Sequence, residues 1–308
     1  MATDTAPGST AEGASGADEA APPARNPQRA PRPEGNVLNV FSQGFLWLWA
    51  LMVIIPVVWI VMSSFKTTRE IASDPLGPPE APHWANYVNA WTNGNIGGYF
   101  LNTLQVMVFS VAGTMLLGAM AAYVLARYEF PGNRVIYFGF AAGMMFPVFL
   151  ALFPLFKTLQ NVSLLNTYTG LVIVYIAYSL PFTVFFLTAF FRTLPTGVAE
   201  AAVVDGAGHY RLFFQVMLPM AKPGLIAITI FNIIGQWNQF LLPLVLLGRN
   251  PDDAMISQGL ANLALRQGYE GDSGALFAGT VLAMIPIFIA YILFQRQIQA
   301  GLTAGAIK

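Results

Sequence analysis

The run EAAVVDGAGHYRLFFQVMLP, Glu200 to Pro219, is a polar island between two long apolar segments. Pro195 followed by Thr196, with Thr196 as N-cap, predicts a short helix over Gly197 to Asp205. That helix would place Val198, Ala201, Ala202 and Asp205 along one flank, and the small side chains at 201 and 202 allow another backbone to come close. Gly206 and Gly208 then let the chain turn. A second short helix, Tyr210 to Val216, would present Leu212, Phe213 and Phe214 before Pro219 ends it. The product is a helix-turn-helix knob with an apolar face beside Glu200 and Arg211. Such a face is a liability on a lone protein and makes sense in a groove of a partner. The plainer alternative is an amphipathic loop lying on a membrane surface.

The segments around the knob are membrane spans. Spanning a bilayer takes about 20 mostly apolar residues. Six segments qualify: Phe45 to Phe65, Phe100 to Ala126, Val135 to Phe156, Tyr168 to Phe191, Gly224 to Leu247 and Ala275 to Phe294. None contains Asp, Glu, Lys, Arg or His, and with connections this short, helices are expected rather than barrel strands. The composition agrees, since only 10% of residues are charged against roughly 25% in soluble domains.

Lys and Arg set the orientation. With the amino terminus in the cytoplasm, Arg25, Arg29, Arg32, Arg127, Arg134, Arg192, Arg211, Lys222, Arg296 and Lys308 lie inside. Lys66, Arg69, Lys157, Arg249 and Arg266 lie outside. This bias predicts a multi-pass protein with both termini, and the knob, in the cytoplasm. Residues 1–36 are rich in Ala, Pro, Gly and Ser, and they read as a disordered, uncleaved cytoplasmic tail. The two longer outside loops run from Lys66 to Gly98, punctuated by Pro, and from Arg249 to Gly274, acidic and part helical around Ser257 to Arg266. The second is a candidate contact for a soluble protein or a solvated connector.

Several function classes are excluded or disfavoured. A net charge of 0 gives no reason to expect nucleic acid, and with no cysteine there is neither a disulfide framework nor a thiolate metal site. His83 and His209 fall on opposite sides in this topology, so no metal site is expected. No nucleophile and base pair stands out, so no catalytic residue is assigned and the chain is not read as an enzyme. There is no P-loop and no intramembrane ion relay, which fits a subunit powered from outside. The polar residues within spans are the candidate cargo path: Asn232, Gln236, Trp237, Asn238 and Gln239. Asn232, Gln236 and Gln239 share a helix face at i, i+4 and i+7. Amides match sugar hydroxyls and an indole stacks on a pyranose; equally, membrane amides tie helices together. Asn102, Thr103, Gln105, Tyr175, Tyr178 and Ser179 are weaker path candidates, while Met144, Met145 and Pro147 read as packing and a kink.

The knob's spacing resembles the "EAA" loop of ABC importer permeases: EAA, three residues, Gly, nine residues, Ile, one residue, Leu-Pro. Here these positions are Glu200, Ala201, Ala202, Gly206, Val216, Leu218 and Pro219, with Val216 the only departure. NYVNAW, GQWNQFLLPL and the terminal GLTAGAIK extend the resemblance to the sugar-importing branch, similar to the smaller membrane subunit of maltose-type transporters. The resemblance implies an all-α membrane protein with six transmembrane helices and the type I ABC importer permease fold. It implies a permease domain over residues 37–308, with core helices at about 100–295 and a coupling loop at 193–222. It also implies a second permease subunit in a heterodimer, an ABC ATPase dimer and an extracytoplasmic solute-binding protein. The chain itself would bind no cofactor, ATP being hydrolysed by the partner. The expected setting is the bacterial cytoplasmic membrane, with lipid around the helices and a sugar or oligosaccharide as cargo. A polyol, glycerol-phosphate or amino acid is the alternative cargo, and an autonomous carrier or a purely structural membrane protein the alternative class.

Overall fold

The computed structural model describes residues 36–248 and 250–304, with side chains described over 40–248, 250–265 and 271–297. The tail expected over residues 1–36 lies almost wholly outside them, as do Arg249, Lys308 and the side chains of Arg266 and Glu270. Within the described residues the chain is helical. In order the helices are α1 Asn36–Ser63, α2 Thr68–Ser73, α3 Ala85–Trp91, α4 Ile96–Arg127, α5 Asn133–Met145, α6 Val148–Asn161 and α7 Tyr168–Thr193. There follow α8 Thr196–Val204, α9 His209–Arg211, a π-helical turn Leu212–Met217, α10 Leu218–Met220, α11 Lys222–Trp237, α12 Leu241–Leu246, α13 Ile256–Glu270 and α14 Ser273–Ala304. One compact unit ends at Val53 and the next begins at Ile54. The architecture that follows is that of the second unit.

By length and composition α1, α4, α7 and α14 are each able to cross a membrane unbroken. The other two expected spans are broken. Val135 to Phe156 becomes α5 and α6, bent by 102°. Pro147 explains the break: it offers no N–H, and it pushes Phe146 into extended backbone (φ −77°, ψ 119°). Gly224 to Leu247 is likewise not one helix, because α11 stops at Trp237 and α12 starts at Leu241. Pro243 cannot donate to the Gln239 carbonyl, and the Ser257 hydroxyl donates to it instead at 2.7 Å. The number reaches six when two bent pairs are each taken as one span: Asn133–Met145 with Val148–Asn161, and His209–Met220 with Lys222–Trp237. The second pair draws on the run before Gly224 and leaves α12 out.

α4 and α7 pack along much of their length and form the centre of the bundle. Gly118 makes this possible, since a Cβ there would come within 2.5 Å of the Thr183 methyl on α7. At one end of the bundle Tyr123, Phe191, Leu212, Phe213, Met217 and Ala221 bury one another. There Arg127 donates to the Leu194 carbonyl at 2.6 Å, joining the ends of α4 and α7. At the other end, two clusters hold Ile96, Tyr99, Trp237 and Ile256, and Leu159, Leu171, Leu246 and Met255.

The connection between α1 and α4 is ordered rather than a plain linker. Thr67 and Glu70 form a reciprocal capping box at the start of α2. The Thr67 backbone and hydroxyl bonds, with the Glu80 N–H, hold the Glu70 carboxyl below its usual range. Lys66 is buried beneath this turn and donates to the Asp74 carbonyl at 2.7 Å. Asn86 on α3 bonds the carbonyls of Ser64 and Lys66.

Candidate functional site

Two regions bring together the residues singled out from sequence: the knob at one end of the bundle and a cavity within it. The knob starts one residue earlier than expected. Thr196 is the first residue of α8, Pro195 is the N-cap, and no side chain caps the helix. Fixed φ and a missing N–H suit Pro to a helix start, so the hydroxyl is not needed there. At the other end of α8, Gly206 sits at φ +80°. Its N–H bonds the Val203 carbonyl at 3.0 Å, and the Ala207 N–H bonds the Ala202 carbonyl at 2.9 Å. This pair is a Schellman cap, which requires the left-handed conformation glycine adopts without strain.

Beyond the turn the chain re-enters helix at His209, whose ring Nδ1 is 3.0 Å from the Tyr128 hydroxyl at the end of α4. The expected helix end at Pro219 does not occur. The helical path continues through a π turn to Met220, and only at Ala221 does it bend by 76° into α11. Pro219 falls in the first turn of α10, where the preceding π turn has already released a backbone position. Leu212 and Phe213, expected on the presented face, are instead buried against Tyr123 and Phe191, because α9 and the π turn fold back onto the ends of α4 and α7. Phe214 stays exposed.

The seven EAA-type positions therefore divide by environment. Glu200, Ala201, Gly206 and Pro219 are exposed. Ala202, Val216 and Leu218 are half-buried and pack against the core at the ends of α4 and α7. Val203, Val204 and Tyr210 add exposed apolar surface around Glu200, 86% exposed at Val204.

The cavity, about 330 Å³, lies between the end of α5, the middle of α7 and the last turns of α11. That is within the range of small-molecule sites. Asn232 and Gln236 on α11 and Gln239 just past its end line it, with Tyr175, Tyr178 and Ser179 from α7, Met144 from α5 and Phe146 just past α5. No lining residue carries a charge. Two of the three amides spend their hydrogen bonds on the bundle. Asn232 donates to Thr183 at 2.9 Å, and Gln236 accepts from Ser110 and donates to Ser179 at 3.2 Å. The Gln239 side chain makes no such bond among the described residues, and Tyr178 is 51% exposed.

Trp237 and Asn238 lie outside the lining. The Trp237 indole donates to the Ala283 carbonyl, three residues before Pro286 within α14, and packs edge-on against Phe100. Asn238 bonds back to Ile234. Asn102 and Thr103 tie α4 to the segment before α13 through Asp252, Ala254 and Ile256. Gln105 is exposed. Phe182 and Phe231 complete the apolar wall without any earlier signal, for the sequence marks them only as ordinary span residues. Among the described residues, no group of His, Asp and Glu could hold a metal ion.

Comparison with known proteins completes the picture. Residues 114–303 match the family described as binding-protein-dependent transport system inner membrane component. The diacetylchitobiose uptake system permease protein NgcG of Streptomyces coelicolor is 53% identical over 87% of this chain and 88% of its own length. The trehalose transport system permease protein SugB of Mycobacterium tuberculosis is 34% identical over 83% of this chain and 92% of its own. In fold, the chain is similar to a subunit of a bacterial ABC transporter involved in import of the acidic polysaccharide alginate. The TM-score is 0.73 at 23% identity, over 84% of this chain and 96% of that one.

Proposed function

The chain belongs to the binding-protein-dependent transport system inner membrane components, as the membrane-spanning permease subunit of an ABC importer, and on that premise we propose that its cargo is a neutral oligosaccharide of N-acetylated amino sugars. The observation that carries this reading is the uncharged, amide- and aromatic-lined cavity, in a chain 53% identical to a diacetylchitobiose permease. Acetamido groups offer a donor, an acceptor and a methyl, which suit Gln239, Tyr178 and the apolar wall of Met144, Phe182 and Phe231. A strongly anionic cargo would find no basic group there.

Asn232 and Gln236 form the floor and hold α4, α7 and α11 at the spacing that keeps the cavity open. Trp237 and Asn238 brace the end of α11 beneath the path.

Coupling runs through the knob. Glu200, Ala201 and Gly206 face a groove on a separate ATPase, with Glu200 placed to meet a basic residue. Ala202, Val216 and Leu218 transmit the motion inward because they pack on the ends of α4 and α7, and Pro219 lies at the outer rim. ATP is bound and hydrolysed by that partner dimer, a second permease completes the path as a heterodimer, and a solute-binding protein delivers cargo on the opposite face. Both termini then lie in the cytoplasm.

Uptake of labelled diacetylchitobiose, with trehalose as comparison, tests the assignment in cells lacking the native gene. Gln239→Ala should lower uptake severalfold while complex recovery stays unchanged. Asn232→Leu should lower recovery and thermal stability first, by about 1 kcal/mol for a buried interhelical bond. If Gln239→Ala lost recovery in step with uptake, the cavity would not be the path. Preference for trehalose over diacetylchitobiose would reject the cargo.

A further inference from the structure

A second cavity, about 640 Å³, opens where α4 ends, α5 begins and α7 ends, and Glu129, Asn133, Arg134, Val135 and Arg192 are among its lining residues. We propose that it seats the phosphate of an anionic phospholipid between Arg134 and Arg192, with the acyl chains running along the apolar flank of α5. This goes beyond cargo and coupling, for it concerns neither the Gln239 cavity nor the knob.

Position is the first argument. Three consecutive span ends meet here on the knob side of the bundle, so the cavity lies at the boundary between hydrocarbon and water. Phe182 lines the cargo cavity and Arg192 this one, ten residues further along α7. The two are thus roughly 15 Å apart along the helix at 1.5 Å per residue.

Unused hydrogen-bonding capacity is the second. Arg134 and Arg192 are exposed, and among the described residues neither has a hydrogen-bond or ion-pair partner, although Glu129 lines the same space. The Arg192 guanidinium lies 4.9 Å over the Tyr137 ring of α5, which fixes its plane and leaves its edge N–H groups free. Two lining guanidiniums against one lining carboxylate leave a net positive site. Guanidinium forks match phosphate oxygens in pairs, and basic pockets between span ends are where anionic headgroups bind.

The third argument separates a lipid from a free anion. Val135, which lines the cavity, is 76% exposed, and Phe138, one turn further along α5, is 64% exposed. A lipid covers this carbon surface with its chains while its phosphate meets the arginines. Inorganic phosphate has no chains to use that surface.

The test uses the intact importer complex in nanodiscs of phosphatidylcholine with a minor share of phosphatidylglycerol, and counts retained lipid by native mass spectrometry after detergent release. The wild-type complex should retain phosphatidylglycerol selectively. R134Q/R192Q should weaken that retention about thirtyfold, the effect of two interfacial basic residues. R134K/R192K should keep most of it, which guards against a folding defect in the glutamine variant. Millimolar inorganic phosphate should not displace the lipid. Equal retention by wild type and R134Q/R192Q would overturn the proposal. So would displacement by inorganic phosphate, which would make this a free-anion site. Loss of the second permease subunit from R134Q/R192Q, without loss of lipid, would identify the face as a protein interface and reject the lipid as well.

Discussion

Gly206 holds φ +80°, and no neighbouring atom lies within 4 Å of where its Cβ would stand. A substitution there meets backbone strain and no collision. Left-handed backbone costs an L-residue roughly 1–2 kcal/mol, with Asn the best tolerated. Gly206→Val should therefore leave the chain in the membrane but release the ATPase during purification, and Gly206→Asn should behave close to wild type. ATPase recovered per permease, with transport per ATP hydrolysed, measures both. Identical loss from Asn and Val would show that φ is not what the position requires. This residue was legible in the sequence because the cap is local: small residues, a glycine and a turn suffice to place it. The inward side of the same motif was not. Nothing in the spacing of Ala202, Val216 and Leu218 says that they pack on α4 and α7 while Glu200 and Ala201 face out, since that depends on where two distant helix ends come to rest.

At the scale of elements, proline was the least readable residue. Pro147 breaks a span and Pro219 breaks nothing, although both interrupt apolar runs. The difference is the backbone before each proline: Phe146 is extended, whereas Pro219 follows a π turn and sits in the first turn of α10. Ser257 answers for Pro243 from a segment 14 residues away, which no local rule anticipates. α13 shows the same dependence. Its first residue, Ile256, and Met255 just before it are buried, and the Ile256 N–H bonds Thr103, so this segment is an anchored helix rather than a solvated connector. Deleting it would damage the bundle and could not report on docking. Leu265, 70% exposed near its far end, is the better probe of a contact with the solute-binding protein. Leu265→Glu should reduce the stimulation of ATP hydrolysis by loaded binding protein several-fold, with complex recovery and basal hydrolysis unchanged. Unaltered stimulation would remove α13 from the docking surface.

For the molecule as a whole, the expectation is dependence on partners. Affinity purification of the tagged chain from native membranes should recover an ATPase and a second permease, and cargo uptake into proteoliposomes should need all three with ATP. Cargo exchange by the chain alone in liposomes would instead make it an autonomous carrier. The sequence by itself determined that the chain is a helical membrane protein, how many spans to expect and which short loop carries the EAA-type spacing. Those properties rest on length, hydropathy and one local turn, each encoded in contiguous residues. Only the tertiary structure decided that the expected spans Val135 to Phe156 and Gly224 to Leu247 are broken, and that Asn232 and Gln236 bond to the bundle while the Gln239 side chain makes no such bond among the described residues. It alone brought Arg134 and Arg192 to one cavity. The physical reason is the same throughout: a buried amide, a freed carbonyl or a guanidinium takes its role from the partners that other helices bring within about 3 Å, and the sequence lists residues without those distances.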